Sequence, residues 1–181
     1  LLCRNKKITV EVLSAFLERA PEAANETDLG GKYPLYDLSK NQNSTLEMRS
    51  ILEAASPFHA LCGVDYITAE VLSAFLERAP GAANEKNLYG SYPLHLLCNN
   101  KKITAEVLSA LLERAPGAAN EKNDDGYYPL HFLCLNKDIT AEMLSALLKH
   151  APEAAKEKNK DGNYPLHALC ENENITAEVL S

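Results

Sequence analysis

One short motif returns at a fixed interval: Tyr92-Pro93-Leu94-His95, Tyr128-Pro129-Leu130-His131 and Tyr164-Pro165-Leu166-His167 start 36 residues apart. Ser56-Pro57-Phe58-His59 lies 36 residues before the first of these, and a divergent copy, Tyr33-Pro34-Leu35-Tyr36, stands only 23 residues before that. A period in this range describes a series of supersecondary units, none able to bury its apolar face alone, and not one globular core. The repeat absorbs nearly every unusual residue. All nine prolines either open the motif (Pro34, Pro57, Pro93, Pro129, Pro165) or follow alanine (Pro21, Pro80, Pro116, Pro152). All five cysteines (Cys3, Cys62, Cys98, Cys134, Cys170) take one repeat position and four of the five histidines another, leaving only His150 off the pattern.

Charge and composition narrow the function classes. With 25 acidic and 18 basic residues the chain carries −7, and its lysines are dispersed, which disfavours non-specific nucleic-acid binding. No apolar run approaches the ~20 residues that cross a bilayer, and no signal-peptide pattern opens the sequence, so it reads as soluble, without membrane insertion. The cysteines lie one repeat apart. Helices pack about 8–10 Å from one another, while bridged Cα atoms lie within ~7 Å, so disulfides between repeats are not expected. Reduced thiols imply an intracellular compartment. Asn43-Ser44-Thr45 and Asn174-Ile175-Thr176 match the glycosylation triplet but are short enough to arise by chance.

Gly126 to Gly162 shows what one unit contains. Pro129 fits the first turn of a short helix, and Leu130, Leu133 and Cys134 share one face at i, i+3, i+4. Leu135-Asn136-Lys137-Asp138 reads as a polar connection. Thr140 caps a second helix from Ala141 to about Ala151, with Ile139 placed to staple onto Leu144 and Glu142 near the positive helix end. Met143, Leu144, Leu147 and Leu148 make a two-row apolar stripe, with Ser145, Lys149 and His150 off it. Pro152 stops the helix, and Glu153 to Asn163 reads as a polar projecting loop ending in a turn.

Helix, turn, antiparallel helix and projecting loop, opening Gly90-Ser91-Tyr92-Pro93-Leu94-His95, Gly126-Tyr127-Tyr128-Pro129-Leu130-His131 and Gly162-Asn163-Tyr164-Pro165-Leu166-His167, resemble the ankyrin repeat. The resemblance covers the whole chain and implies an all-α, ankyrin-type α-solenoid of helical hairpin repeats with projecting loops or β-hairpin fingers. There are departures: the period is 36 instead of 33, Tyr stands where Thr precedes Pro, and Ala-Pro replaces the Gly that ends the second helix. They leave the hairpin form of the finger open. The tetratricopeptide family, the rival helical hairpin, lacks Pro-Leu-His at the first helix start. The chain is expected to be a single array over 1–181: a partial repeat 1–32, a shortened repeat 33–55, full repeats 56–91, 92–127 and 128–163, and a partial repeat 164–181.

The repeat opening at Tyr33 lacks 13 residues, matching the end of a second helix and its loop. One or two residues cannot carry the chain back across a unit at ~3.5 Å each. A loop omitted at 55/56 is therefore expected, with a natural deletion as the alternative. Neither end offers a polar capping repeat, so the natural protein is expected to continue in both directions or to dock its ends on a neighbour.

His-x-x-Cys recurs as His59/Cys62, His95/Cys98, His131/Cys134 and His167/Cys170, a spacing that places two metal-ligand types on one helix face. Each unit supplies two ligands and not four, so packing of Cys and helix-start bonding by His explain the pair better; no metal or cofactor is expected. A Cys–His nucleophile needs a third positioning group and an oxyanion site, and neither is visible, so no catalysis is expected.

Positions that differ between repeats at exposed sites are the candidates for binding. The loops read Leu29-Gly30-Gly31-Lys32, Leu88-Tyr89-Gly90-Ser91, Asp124-Asp125-Gly126-Tyr127 and Lys160-Asp161-Gly162-Asn163, varying around a constant Gly. The position after His also varies, with Leu96 and Phe132 among its residues. In the family resembled, fingers and first helices line the binding surface. That implies a protein-binding face including Leu29, Lys32, Leu88, Tyr89, Ser91, Leu96, Asp124, Asp125, Tyr127, Phe132, Lys160 and Asn163, with Leu88, Tyr89, Leu96, Tyr127 and Phe132 as its apolar patch. The plainer alternative is that Phe132 and Leu96 fill space between repeats. The expected role is an adaptor or scaffold binding a protein partner. Two alternatives are a structural subunit embedded in a larger multiprotein assembly, and a targeting array for a functional domain outside these residues.

Overall fold

A computed structural model describes residues 2–24, 26, 28, 34–48, 51, 58–65, 67–87, 89–176 and 179. Among them all regular structure is helical, and no strand is present. The expected junction at 55/56 lies outside the described residues.

Long helices start where threonine can cap them. Thr9, Thr68, Thr104 and Thr140 sit in extended backbone, and each hydroxyl accepts the N–H three residues on, at 3.2–3.4 Å. This satisfies one of the N–H groups a helix start leaves without a partner. The helices that follow are Val10–Arg19, Ala69–Arg78, Ala105–Arg114 and Ala141–His150. In Ala105–Arg114 the whole stripe Val107, Leu108, Leu111 and Leu112 is buried; in Ala141–His150 Met143 and Leu147 are buried, while Leu144 and Leu148 are half-buried. Complete burial of such a side chain contributes about 1.5–3 kcal/mol.

Each of these helices ends one residue before an alanine that leaves helical geometry, as Ala115 does at φ −138° and ψ 61°. The following proline forces this, because its ring excludes the helical conformation from the residue before it. The proline does more than stop the helix. Pro80–Asn84, Pro116–Asn120 and Pro152–Lys156 form 3-10 turns whose alanines Ala83, Ala118, Ala119 and Ala154 are buried. The polar loop expected from Glu153 thus begins with a packed turn, and the projecting part is confined to the residues after Lys156.

The chain divides into two compact units, Leu1–Val64 and Asp65–Ser181. In the first, the helix Pro34–Ser39 packs on the Leu2–Arg4 turn, on Pro21–Ala24 and on Phe58–Cys62. Arg4 links Asp37 at 2.8 Å and Asp28 at 3.2 Å. In the second, short first helices pack in succession, Pro93–Cys98 on Pro129–Leu135 and that on Pro165–Glu171, while Ala69–Arg78, Ala105–Arg114 and Ala141–His150 do the same. The core lies between these two rows. Leu94, Leu97, Cys98, Leu130, Leu133 and Cys134 fill it from the first helices, on the face that the i, i+3, i+4 spacing indicated.

The turn between the helices departs from the polar connection expected there. Asn136 is 5% exposed and donates through Nδ2 to the carbonyls of Cys98 and Asn100 at 3.0 and 2.9 Å. Asn172 does the same to Cys134 and Asn136, at 3.0 and 2.8 Å. In the first unit Asn41 bonds the carbonyls of Cys3 and Asn5, both at 3.0 Å. One buried amide thus ties each of these turns to the turn before it.

Among the described residues no helix is long and apolar enough to cross a membrane. All five cysteines are free thiols, four of them buried and Cys170 exposed.

Candidate protein-binding surface

Each projecting loop in the second unit is closed by an asparagine. The Asn123 side-chain oxygen accepts the N–H groups of Asp125 and Tyr127 at 3.1 and 2.9 Å, while its backbone N–H donates to the Tyr127 carbonyl at 2.9 Å. Asn87 accepts from Tyr89 and Ser91 in the same way, and Asn159 from Asn163. Glycine completes the turn because its backbone is left-handed: φ is +67° at Gly90, +79° at Gly126 and +84° at Gly162. Successive loops are then joined by one backbone bond each, Asp124 N–H to Tyr89 O at 3.1 Å and Lys160 N–H to Asp125 O at 3.0 Å. No strand is formed in these loops: each keeps one backbone bond across its base, and the asparagine side-chain oxygen accepts the further N–H groups.

Gly126 and Gly162 differ in one respect that predicts different costs. A methyl group on Gly126 would meet the Lys160 backbone nitrogen at 3.0 Å, whereas one on Gly162 meets nothing within 4 Å. Gly162→Ala is expected to destabilise by the left-handed backbone cost of about 1 kcal/mol, and Gly126→Ala by about 2 kcal/mol. Urea denaturation of the two variants checks the order; equal losses would mean that the loop-to-loop approach is not tight.

A histidine at the third position secures the start of these first helices. His95 Nδ1 accepts the Tyr92 N–H at 3.1 Å, so in the neutral ring the proton sits on Nε2, which donates to the Tyr127 carbonyl of the next loop at 3.1 Å. His131 repeats the arrangement with Tyr128 and Asn163. Both ring nitrogens are thus bonded to backbone. Burial lowers the His95 pKa to about 4 and shifts His131 in the same direction. It drives the Cys98 thiol far up and Cys134 to about 12, so neither sulfur is a thiolate at neutral pH.

The expected contact residues separate into groups. Tyr89 is 49% exposed, and Asp124, Asp125, Lys160 and Asn163 are exposed with it. Tyr127 is half-buried: its ring lies 5.4 Å from Phe132 and 5.5 Å from His131, and its hydroxyl donates to Asp161 at 2.9 Å, a bond that holds the phenol above its ordinary pKa. Phe132 and Leu96 are half-buried, and Phe132 meets His95 edge-on at 6.0 Å, so the ring fills space between neighbouring units. Ser91 is buried, its hydroxyl accepting from the Asn123 amide at 3.3 Å, which removes it from the surface. Leu29, Lys32 and Leu88 lie outside the described residues.

Three residues absent from the expected surface share it. Lys86, Lys122 and Lys158 occupy one repeat position, in the triplets Glu85-Lys86-Asn87, Glu121-Lys122-Asn123 and Glu157-Lys158-Asn159. With Lys160, Glu121 and Asp124 they surround an open depression of about 450 Å³. The recurring Glu-Lys-Asn was available as a signal, but a dispersed lysine looks like solvated surface until the loops are brought side by side. No family model and no curated protein sequence matches this chain.

Proposed function

We propose that the chain is an ankyrin-type α-solenoid, an intracellular adaptor or scaffold that binds a protein partner through its projecting loops and first helices and performs no catalysis of its own. The observation that carries this reading is the joined row of loops. Each is closed on its own asparagine and bonded to its neighbour, so Tyr89, Asp125 and Asn163 are presented from backbone already held in place. Pre-ordering of this kind lowers the entropy lost on binding, and an exposed tyrosine on such a frame is a typical contact anchor.

Tyr89→Ala is the test. Capture of partners from native extract is expected to fall about tenfold, the loss of one interface anchor, with little change in melting temperature. Unchanged capture would sink the assignment of this surface. Tyr127→Ala is a poorer probe because its ring and hydroxyl are tied to Phe132, His131 and Asp161.

A second reading, a structural subunit of a larger assembly, draws on the helix Val10–Arg19. Val12 and Phe16 are each 48% exposed on one face, whereas Val107, Leu111, Met143 and Leu147 at the equivalent positions are buried. Size-exclusion of native extract separates the two: an adaptor is recovered at variable mass with its partners, an embedded subunit at one large mass.

A further inference from the structure

We propose that the lysine-lined depression of the second unit binds an extended acidic peptide segment whose carboxylates recur at every third residue. The inference rests on the reading that the partner is a protein, and adds its chemistry. Four ammonium groups, from Lys86, Lys122, Lys158 and Lys160, face two carboxylates, Glu121 and Asp124, around the depression. Elsewhere the balance is reversed, since the whole chain carries −7. An acidic partner is therefore repelled by most of the surface and drawn to this one place, which is how charge sets orientation and encounter rate.

Two of the ammonium groups are positioned by aromatic rings. Lys86 lies 5.1 Å from the centroid of Tyr92, and Lys158 5.0 Å from that of Tyr164. Cation–π contact of this kind holds a lysine without neutralising it. Lys86 also approaches Glu121 at 4.0 Å, but both side chains are about half exposed, so the pair is weak and open to exchange. The spacing of charge follows from the repeat. Lys86, Lys122 and Lys158 stand one per unit, and units whose helices pack side by side advance about 10 Å. Three residues of a polyproline-II helix make one turn and span about 9 Å, returning to the same face. A peptide in that extended conformation with Glu or Asp at every third position thus meets one lysine per carboxylate, which a compact acidic cluster cannot do.

Fluorescence anisotropy with the full chain tests the proposal, using a labelled peptide of five Glu-Gly-Ser triplets. A peptide of the same composition with its glutamates in one block and a single-stranded oligonucleotide of equal charge serve as competitors. The triplet peptide is expected to bind most tightly, to weaken as salt is raised, and to lose about tenfold in affinity in the K122E/K158E double variant. K137E, at an exposed lysine in a helix–helix turn, is expected to leave binding within about twofold. No binding, or equal binding of the block peptide or the oligonucleotide, overturns the proposal. If the triplet peptide fails while Tyr89→Ala still reduces partner capture, the acidic chemistry is wrong and the adaptor reading stands; if both fail, so does that reading.

Discussion

Replacing Asn136 with alanine is expected to destabilise the second unit by about 3 kcal/mol, the largest effect of any single polar substitution described above. The side chain donates two hydrogen bonds, to the carbonyls of Cys98 and Asn100, and accepts a third from the Asp138 N–H at 3.0 Å. Truncation removes this donor from the Cys98 carbonyl and one of two donors from the Asn100 carbonyl, which keeps the Ile103 N–H at 3.2 Å, in a space that water reaches poorly, since Asn136 and Asn100 are 5% and 4% exposed. A buried polar group that loses its partner costs about 1–3 kcal/mol, more than the net value of the bond itself. Asn136→Asp sharpens the test. The carboxylate keeps the oxygen that accepts from Asp138 but turns two donors into a buried negative charge against two carbonyl oxygens, so it should be worse than alanine. Because the amide joins one unit to the next, the loss should also broaden the urea transition, as nearest-neighbour coupling in a repeat chain weakens. A loss below about 1 kcal/mol for alanine, or an aspartate variant as stable as the parent, would mean that water satisfies these carbonyls.

Asn136 also marks where reading the sequence stops. The 36-residue interval, the threonine caps and the apolar spacing were enough to place the helices, because caps and stripes act locally or within one unit. The polar residues that join units read only as a polar connection, since a lone Asn between Leu135 and Lys137 looks like any turn residue. The signal was present in the recurrence: Asn5, Asn41, Asn100, Asn136 and Asn172 each stand two residues after the Cys position, where Val64 is the exception. An asparagine needed only for a turn could be replaced by Asp, Ser or Gly, so repetition of the amide itself points to a requirement for donor and acceptor together. Packed turns after proline were missed for a related reason: their buried residues are alanines, too small to stand out in a hydrophobic pattern. The binding surface was half readable. Loop positions and glycine turns came from local chemistry, and the filling of space between repeats by Phe132 stood as an alternative reading, but the inward placement of Ser91 and the gathering of four lysines depend on contacts between loops.

Acid should uncouple the units through histidine before it unfolds the chain by protonating carboxylates. His95 has a folded pKa of about 4, well below the ordinary 6.5, because burial withholds water from the imidazolium; the backbone carbonyls of Tyr127 and Glu121 pull the other way and Lys86 adds repulsion. Its geometry agrees, since protonation at Nδ1 must break the bond from the Tyr92 N–H. Between pH 6.5 and 4 the unfolded chain therefore binds a proton that the folded chain refuses. Stability is full above the unfolded pKa and falls as pH drops toward the folded one. At about 1.4 kcal/mol per pH unit at full slope, which is reached only below pH 6.5, His95 alone removes about 1.6 kcal/mol between pH 6.5 and 5.0, a window largely above the carboxylates. His131, shifted in the same direction by the same burial, adds to the slope. Urea denaturation at a series of pH values should show this loss, and His95→Gln, which does not titrate, should start less stable at pH 7.5 but lose less on acidification. A flat profile from pH 6.5 to 5.0, or an unchanged slope in the variant, would mean that His95 charges in place. In that event the Nε2 bond to Tyr127 and the ring contact with Phe132, and not the exclusion of a proton, are what this histidine contributes to joining one unit to the next.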